Sequence, residues 1–436
     1  METSKKKLFT KNFTLVVIGQ IISLFGNQII RYALPLYLLN ETGSAALYGM
    51  VLALSFLPMI LMAPVGGIIA DRVNKRNVMV CLDFATAVLV IVYAQIRGCF
   101  GLVPLLAAVL MILFGIQGAY APTVQGALPL LVEQENLMRG NAVVNAVNSI
   151  SGIAGPVLGG MMFSIFGLQP ILVAGSACFL CSSIMELFIY IPFEKKKREC
   201  GILKIVKMDM KDSSHFIRRE RPEIGKVVLI AAGINLVFSS LIIVGFPVII
   251  NQHLGFSRNL ANGLQGVSEG VMASGGLLGA LFAGACSKKL KMNKAGNWLL
   301  AAALMIFPMG IIMSLHMKGM AAFVLLVIAA FVMMAASTVM NIELLTYVQI
   351  VTPPNMISKV MSLIMCLCMC ASPLGQFLYG ILFEKLSGYI GWIFIVAAFL
   401  AVAISVLSCR VFGQAEKGGV AADLQMDNNT ADGKFC

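Results

Sequence analysis

From Asn12 to Phe412 the chain is a succession of predominantly apolar runs, each about 20 residues or longer, parted by short polar turns. As an α-helix, a run of that length crosses roughly 30 Å of hydrocarbon, and a water-soluble core cannot bury so many. The runs place helices near residues 13–38, 45–70, 76–96, 102–126, 140–166 and 168–192, then 226–251, 261–286, 296–316, 320–348, 356–383 and 387–412. Twelve such helices make an all-α membrane protein with the lipid bilayer as its surroundings. With 59% apolar and 12% charged residues, the composition excludes the ordinary soluble class. The run Phe13–Leu38 is too long for the core of a cleaved signal peptide and lacks a small-residue cleavage site, so it is expected to remain as the first helix.

Between the sixth and seventh runs lies Glu194–Glu223, which is polar and carries Lys195, Lys196, Lys197, Arg198, Arg218, Arg219 and Arg221. The expected organisation is a six-helix bundle over 1–192, a basic cytoplasmic linker over 193–225, a second six-helix bundle over 226–412 and a disordered cytoplasmic tail over 413–436. A net charge of +12 raises the question of nucleic acid, and the distribution of the charge answers it. Of 32 lysines and arginines, all but Arg31, Arg97, Arg258, Lys318 and Lys385 fall at the termini, in the linker or in turns after even-numbered helices. That is the positive-inside bias of a multi-pass protein of the cell membrane with both termini cytoplasmic; no nucleic-acid partner is expected.

The eleven cysteines are read as free thiols. Cys178 with Cys181, and Cys366 with Cys368 and Cys370, sit in unbroken apolar helices with no histidine or acid suited to complete a metal site.

Ala154-Gly155-Pro156-Val157-Leu158-Gly159 in the fifth helix returns as Ala371-Ser372-Pro373-Leu374-Gly375-Gln376 in the eleventh, 217 residues later. A repeat shifted by half the chain implies two parallel halves related by an axis along the membrane normal, with a solute site between them.

The turn after the second helix reads Gly67-Ile68-Ile69-Ala70-Asp71-Arg72-Val73-Asn74-Lys75-Arg76. It resembles the signature loop of the major facilitator superfamily: a glycine, an acid four residues on, then a basic cluster. Asn74 stands where that pattern has a second glycine, and asparagine tolerates the left-handed turn that glycine would take. The resemblance implies two pseudo-symmetric six-helix bundles. It also implies a conformational latch, built from Gly67, Asp71, Arg72, Lys75 and Arg76, in which the Asp71 carboxylate meets the N-terminal end of the eleventh helix after Pro353-Pro354. The competing reading is that Asp71 only neutralises neighbouring bases. The matching turn Ala285–Asn293 has lysines and no acid.

Gly155, Pro156, Gly159 and Gly160 resemble the fifth-helix motif of exporters in this superfamily. Proline removes a backbone donor and is expected to kink the helix, and the glycines allow close contact with a neighbour. The eighth helix offers Gly266, Gly270, Gly275, Gly276 and Gly279 as that neighbour, although such glycines pack helices whatever the direction of transport.

Ionisable residues within spans are costly and mark function or a buried pair. Five stand out: Arg31, Asp83, Glu186, Glu269 and Glu343. Glu269 or Asp83, with Glu343 as a third candidate, is expected to carry a coupling proton whose binding excludes solute. For Asp83 and Glu186, about two turns from the cytoplasmic face, pairing with loop Arg or Lys is the preferred reading. The resemblance places the first, fourth, seventh and tenth helices innermost, which makes Gln20, Asn27, Arg31, Gln117, Tyr120, Asn235 and Asn341 cavity candidates; helix-to-helix hydrogen bonding accounts for them as well.

Gln20, Ser23, Gly26, Ala33-Leu34-Pro35-Leu36, Thr42-Gly43-Ser44 and the stretch Pro122–Asn141 resemble the macrolide-efflux-like drug and proton antiporters of the superfamily. That implies efflux of amphipathic small molecules by a monomer driven by the proton gradient, with no cofactor. A solute importer of the same fold and a non-transporting membrane scaffold are the alternatives. No GxxxxGK[ST] phosphate loop is present, and His215, His253 and His316 form no HExxH pattern, so neither a primary pump nor an intramembrane enzyme is expected.

Overall fold

A computed structural model describes residues 10–133, 136–191, 210–286, 292–353 and 356–432. Within these, the side chains at 67, 68, 70–72, 137, 138, 220, 292–294, 357–359, 362 and 412–432 are outside the description. Among the described residues twelve helices are long and apolar enough to cross a membrane. They are α1 Lys11–Thr42, α2 Ala45–Arg72, α3 Lys75–Ile96, α4 Leu102–Leu131, α5 Leu137–Phe166 and α6 Leu168–Leu187. They continue as α7 Pro222–His253, α8 Arg258–Ala285, α9 Ala295–Ser314, α10 Gly319–Val351, α11 Ile357–Lys385 and α12 Ile390–Asp432.

Local chemistry sets the ends. The Thr10 side chain accepts from the Phe13 amide to start α1, and Gly43, at φ 63°, closes it in a left-handed turn that a side chain resists. α4 runs through Pro122 and Pro129 to Leu131, past the stop expected near 126. Inside a bundle, neighbouring helices tolerate the backbone groups that proline frees. α7 opens on Pro222, where the missing amide hydrogen costs nothing, so the last residues of the expected linker are helical. Residues 192–209 of that linker lie outside the described residues. The backbone of α12 extends to Asp432, where a disordered tail is expected from 413. Each residue added to an existing helix gains a hydrogen bond without a new nucleus, and Ala, Glu, Leu and Gln there favour that state.

Contacts divide the chain into two compact units. One comprises Met1–Val206, Ile243–Ala273 and Gln376–Lys385; the other comprises Lys207–Ile242, Ser274–Gly375 and Leu386–Cys436. The division therefore passes through α7, α8 and α11 as well as the linker. A helix of about 30 residues is some 45 Å long, and its two ends take different neighbours.

In the first unit, small residues bring backbones together. A Cβ added to Gly118 would lie 3.1 Å from the Met59 Cα of α2, and one at Gly26 would lie 2.8 Å from the Cys178 Cβ of α6. The motif glycines do not share one partner. Gly155 and Gly159 face Gln28 and Ile29 of α1, whereas Pro156 and Gly160 face Gly266 of α8. This corrects the expectation that Gly155 and Gly159 meet the eighth helix: residues four apart lie on one face of α5, and Gly160 is turned about 100° from Gly159. In the second unit, Ser240 of α7 donates to the Ser372 carbonyl of α11 at 2.9 Å, and Gly375 lies against Leu236 and Ser240. The repeated motifs thus serve the same purpose, seating α5 on α1 and α11 on α7.

At the end of the first unit remote from Lys11, polar bonds tie the segments of α7, α8 and α11 to α1, α2 and α5. Arg258 pairs with Glu41 at 2.5 Å, the Tyr32 hydroxyl donates to the Asn262 carbonyl at 2.6 Å, and Gln252 donates to the Gly43 carbonyl at 3.0 Å. Glu384 of α11 accepts from the Ser44 hydroxyl and, at 2.9 Å, from the Ala46 amide, supplying an anion to the N-terminus of α2. Replacing Glu384 by alanine should cost about 0.5–1 kcal/mol, read as a lowered unfolding midpoint in detergent. An unchanged midpoint would show that the cap carries no stability.

Candidate functional site

Four helices of the first unit converge on two acids. Asp83 of α3 is 3% exposed and Glu186 of α6 is fully buried. Ser23 of α1 donates to Asp83 Oδ1 at 2.9 Å, Tyr120 of α4 donates to Glu186 Oε1 at 2.9 Å, and the Ser182 hydroxyl, which reaches the Gly19 carbonyl at 3.0 Å, lies against Asp83. The two carboxyl groups are within electrostatic reach of each other. Asp83 Oδ2 and Glu186 Oε2 are buried without a hydrogen-bond partner. Among the described residues no lysine or arginine pairs with either acid; the loop bases Lys195, Lys196, Lys197 and Arg198 lie outside those residues. Arg76, the base nearest along α3, instead donates to the Leu187 carbonyl at 2.5 Å.

Tyr120 also faces a cavity of about 310 Å³ walled by Gln20 and Leu24 of α1, Gln117 and Val124 of α4, and Asn141, Asn145 and Asn148 of α5. Apolar walls with a few amides suit an amphipathic organic molecule, since the apolar surface supplies area and the amides fix orientation. Three expected cavity residues, Gln20, Gln117 and Tyr120, line it. Asn27 stands behind, donating to Gln117 Oε1 at 2.7 Å. Arg31, one turn further along α1, places its guanidinium 4.0 Å from the centre of the Phe114 ring, which answers its charge without an acid. The α5 asparagines were not foreseen, although polar residues at 141, 145 and 148 form the i, i+4, i+7 stripe of one helical face.

The remaining expected residues lie elsewhere. Glu269 of α8 accepts from Gln265 at 3.2 Å and is within electrostatic reach of the Tyr32 and Tyr48 phenols. In the second unit, Asn235 donates to the Ala231 carbonyl of its own helix at 3.0 Å, Asn341 is exposed, and Glu343 is 8% exposed with neither carboxylate oxygen partnered. The side chains of Gly67, Asp71 and Arg72, with residues 354 and 355 before α11, lie outside the described ones, so the latch contact does too. Asn74 has φ −57° and caps α3, its side chain accepting from the Arg76 amide at 3.0 Å. The left-handed turn expected there is therefore replaced by a capping role that asparagine also favours.

Among the described residues nine cysteines are all free thiols, and no group of three or more His, Cys, Asp or Glu gathers as for a metal.

The Major Facilitator Superfamily model matches residues 16–375. The chain is similar to macrolide efflux protein A of Streptococcus pyogenes, 24% identical over 417 residues, 93% of this chain and 96% of that protein. It is similar as well to the uncharacterized transporter YfiS of Bacillus subtilis, 24% identical over 405 residues and covering 91% of each. In fold it resembles the nucleoside transporter NupG, with a TM-score of 0.71 at 13% identity over 92% of this chain and 99% of that one.

Proposed function

We propose that this chain, which belongs to the Major Facilitator Superfamily, is a drug and proton antiporter that expels amphipathic organic solutes by alternating access. A membrane transporter of small molecules rather than an enzyme follows from the family; efflux, the proton and the substrate class are our reading. The observation that carries it is Tyr120, whose one side chain both lines the amide-walled cavity and bonds a buried carboxylate. A solute and a proton that meet at one group can be made to exclude each other, which is what exchange requires. The likeness to a macrolide efflux protein supports an amphipathic solute and the outward direction. Asp71, through the N-terminus of α11, serves in this reading as the latch of the cytoplasmic side, with both chain termini on that side of the cell membrane.

Inside-out vesicles test the reading directly. In vesicles made from cells expressing the protein and acidified inside by respiration, addition of erythromycin or ethidium should release protons, and cells lacking the gene should give no release. Solute-dependent alkalinisation of the opposite sign would mark an importer, and no response to a broad panel of solutes would favour a scaffold.

A further inference from the structure

The two acids at the centre of the first unit are more than paired neighbours. Every group that reaches them from the four surrounding helices is an oxygen: Ser23 from α1, Tyr120 from α4, and Ser182 from α6 beside Glu186 itself. Gln20 of α1, on the wall of the cavity that Tyr120 lines, is neutral, and Arg76 turns its guanidinium to the Leu187 carbonyl. The cluster therefore holds two carboxyl groups, hydroxyl donors and no compensating base among the described residues. One oxygen of each acid, Asp83 Oδ2 and Glu186 Oε2, remains buried and unpartnered, although each acid is more than nine-tenths buried.

We propose that Asp83 and Glu186 together hold the exchanged proton, and that the Tyr120 oxygen is the point at which that proton and the solute compete. This rests on the antiport reading and assigns its site. The proton adds to a carboxylate oxygen of the pair as an O–H bond and leaves as the same proton, with no change in electrons. When Glu186 is a carboxylate it accepts from Tyr120, as the structure shows, and the phenol lone pairs are open to a hydrogen-bond donor of the solute in the cavity. When Glu186 is protonated, its new O–H donates to that phenol oxygen and fills the same place. The phenol hydrogen then turns to an acceptor, and Gln20 Oε1, buried, unpartnered and on the wall of the same cavity, is available for it. The ligand class that follows is an amphiphile bearing an amine or hydroxyl donor. Asp83 sets a second carboxyl group beside Glu186 in either state, and Ser23 and Ser182 hold its orientation. The other acids have no such link: Glu269 is bonded to Gln265 of its own helix, and Glu343 is not among the groups lining this cavity.

The test uses the full chain in proteoliposomes with ethidium as the probe, which carries aryl amine donors. Glu186→Gln and Asp83→Asn should each lower pH-gradient-driven ethidium accumulation by about tenfold or more while downhill ethidium exchange persists. In purified wild-type protein, ethidium binding should weaken on acidification and release protons into a weakly buffered solution. Tyr120→Phe should bind ethidium with no proton release, a readout that does not depend on the acid variants folding. If wild type shows pH-gradient-driven transport and both acid variants retain it, or if Glu269→Gln alone abolishes it, the assignment is overturned while antiport stands. If a sodium gradient at constant pH drives wild-type transport and a pH gradient does not, the antiport reading itself fails, and with it the assignment.

Discussion

Replacing Phe114 by alanine should destabilise the protein by about 3–5 kcal/mol, more than any other single change considered for the first unit. The ring is 3% exposed, meets Phe56 edge-on with centroids 5.2 Å apart, and carries the Arg31 guanidinium at 4.0 Å. Two losses add. Truncation leaves a cavity between α4 and α2, which the neighbouring side chains fill only in part. It also strips Arg31 of the π-face that stands in for a counter-ion, worth about 2 kcal/mol when desolvated. Phe114→Leu separates the terms, because it keeps most of the apolar volume and removes only the ring. Unfolding of purified protein in detergent should rank wild type above Phe114→Leu and that above Phe114→Ala. A double-mutant cycle with Arg31→Met should recover a coupling of about 2 kcal/mol between the two positions. Additivity within experimental error would mean that the ring does not support the charge.

Gly266→Leu should abolish transport and lower stability by about 1–3 kcal/mol or more. A Cβ at Gly266 would lie 2.9 Å from the Gly160 Cα and 3.2 Å from the Pro156 carbonyl carbon, so even alanine forces α5 and α8 apart at their backbones. Backbone cannot rotate aside as a side chain can, and overpacking is relieved only by shifting a whole helix. The control lies on α5 itself: a Cβ at Gly152 would meet nothing within 4 Å. Gly152→Ala should leave both efflux of ethidium and the unfolding midpoint unchanged, whereas Gly266→Leu should lose efflux even where protein is recovered in the membrane. Wild-type efflux by Gly266→Leu would show that the close crossing of α5 and α8 is dispensable.

The helices were legible because their signal is local. An apolar run long enough to span hydrocarbon must close its own hydrogen bonds, so length and hydropathy alone place the twelve apolar spans, although the backbone of α12 runs on past its apolar run to Asp432. The glycine motif and its repeat were legible for the same reason, since a residue without a side chain marks a close approach wherever the neighbour turns out to be. The neighbour was not legible: Gly155 and Gly159 meet α1, and Gly160 meets α8. Of the cavity, Gln20, Gln117 and Tyr120 were found from polarity within spans, while Asn235 bonds its own helix. The same chemistry in sequence serves a wall in one place and a helix turn in the other.

What the sequence determined by itself is the class of the molecule: a twelve-helix membrane protein whose basic residues sit in the termini, the linker and alternate turns, because burial of backbone and of charge is decided by the residue and its near neighbours. What only the tertiary structure decided is how the costly residues are answered. Asp83 and Glu186, far apart in the chain and each readable as a partner for a loop base, are brought together with hydroxyls and, among the described residues, no base, and Arg31 meets an aromatic ring. The energy of a buried charge depends on the groups within a few ångströms of it, and those come from helices whose adjacency no single stretch of sequence records.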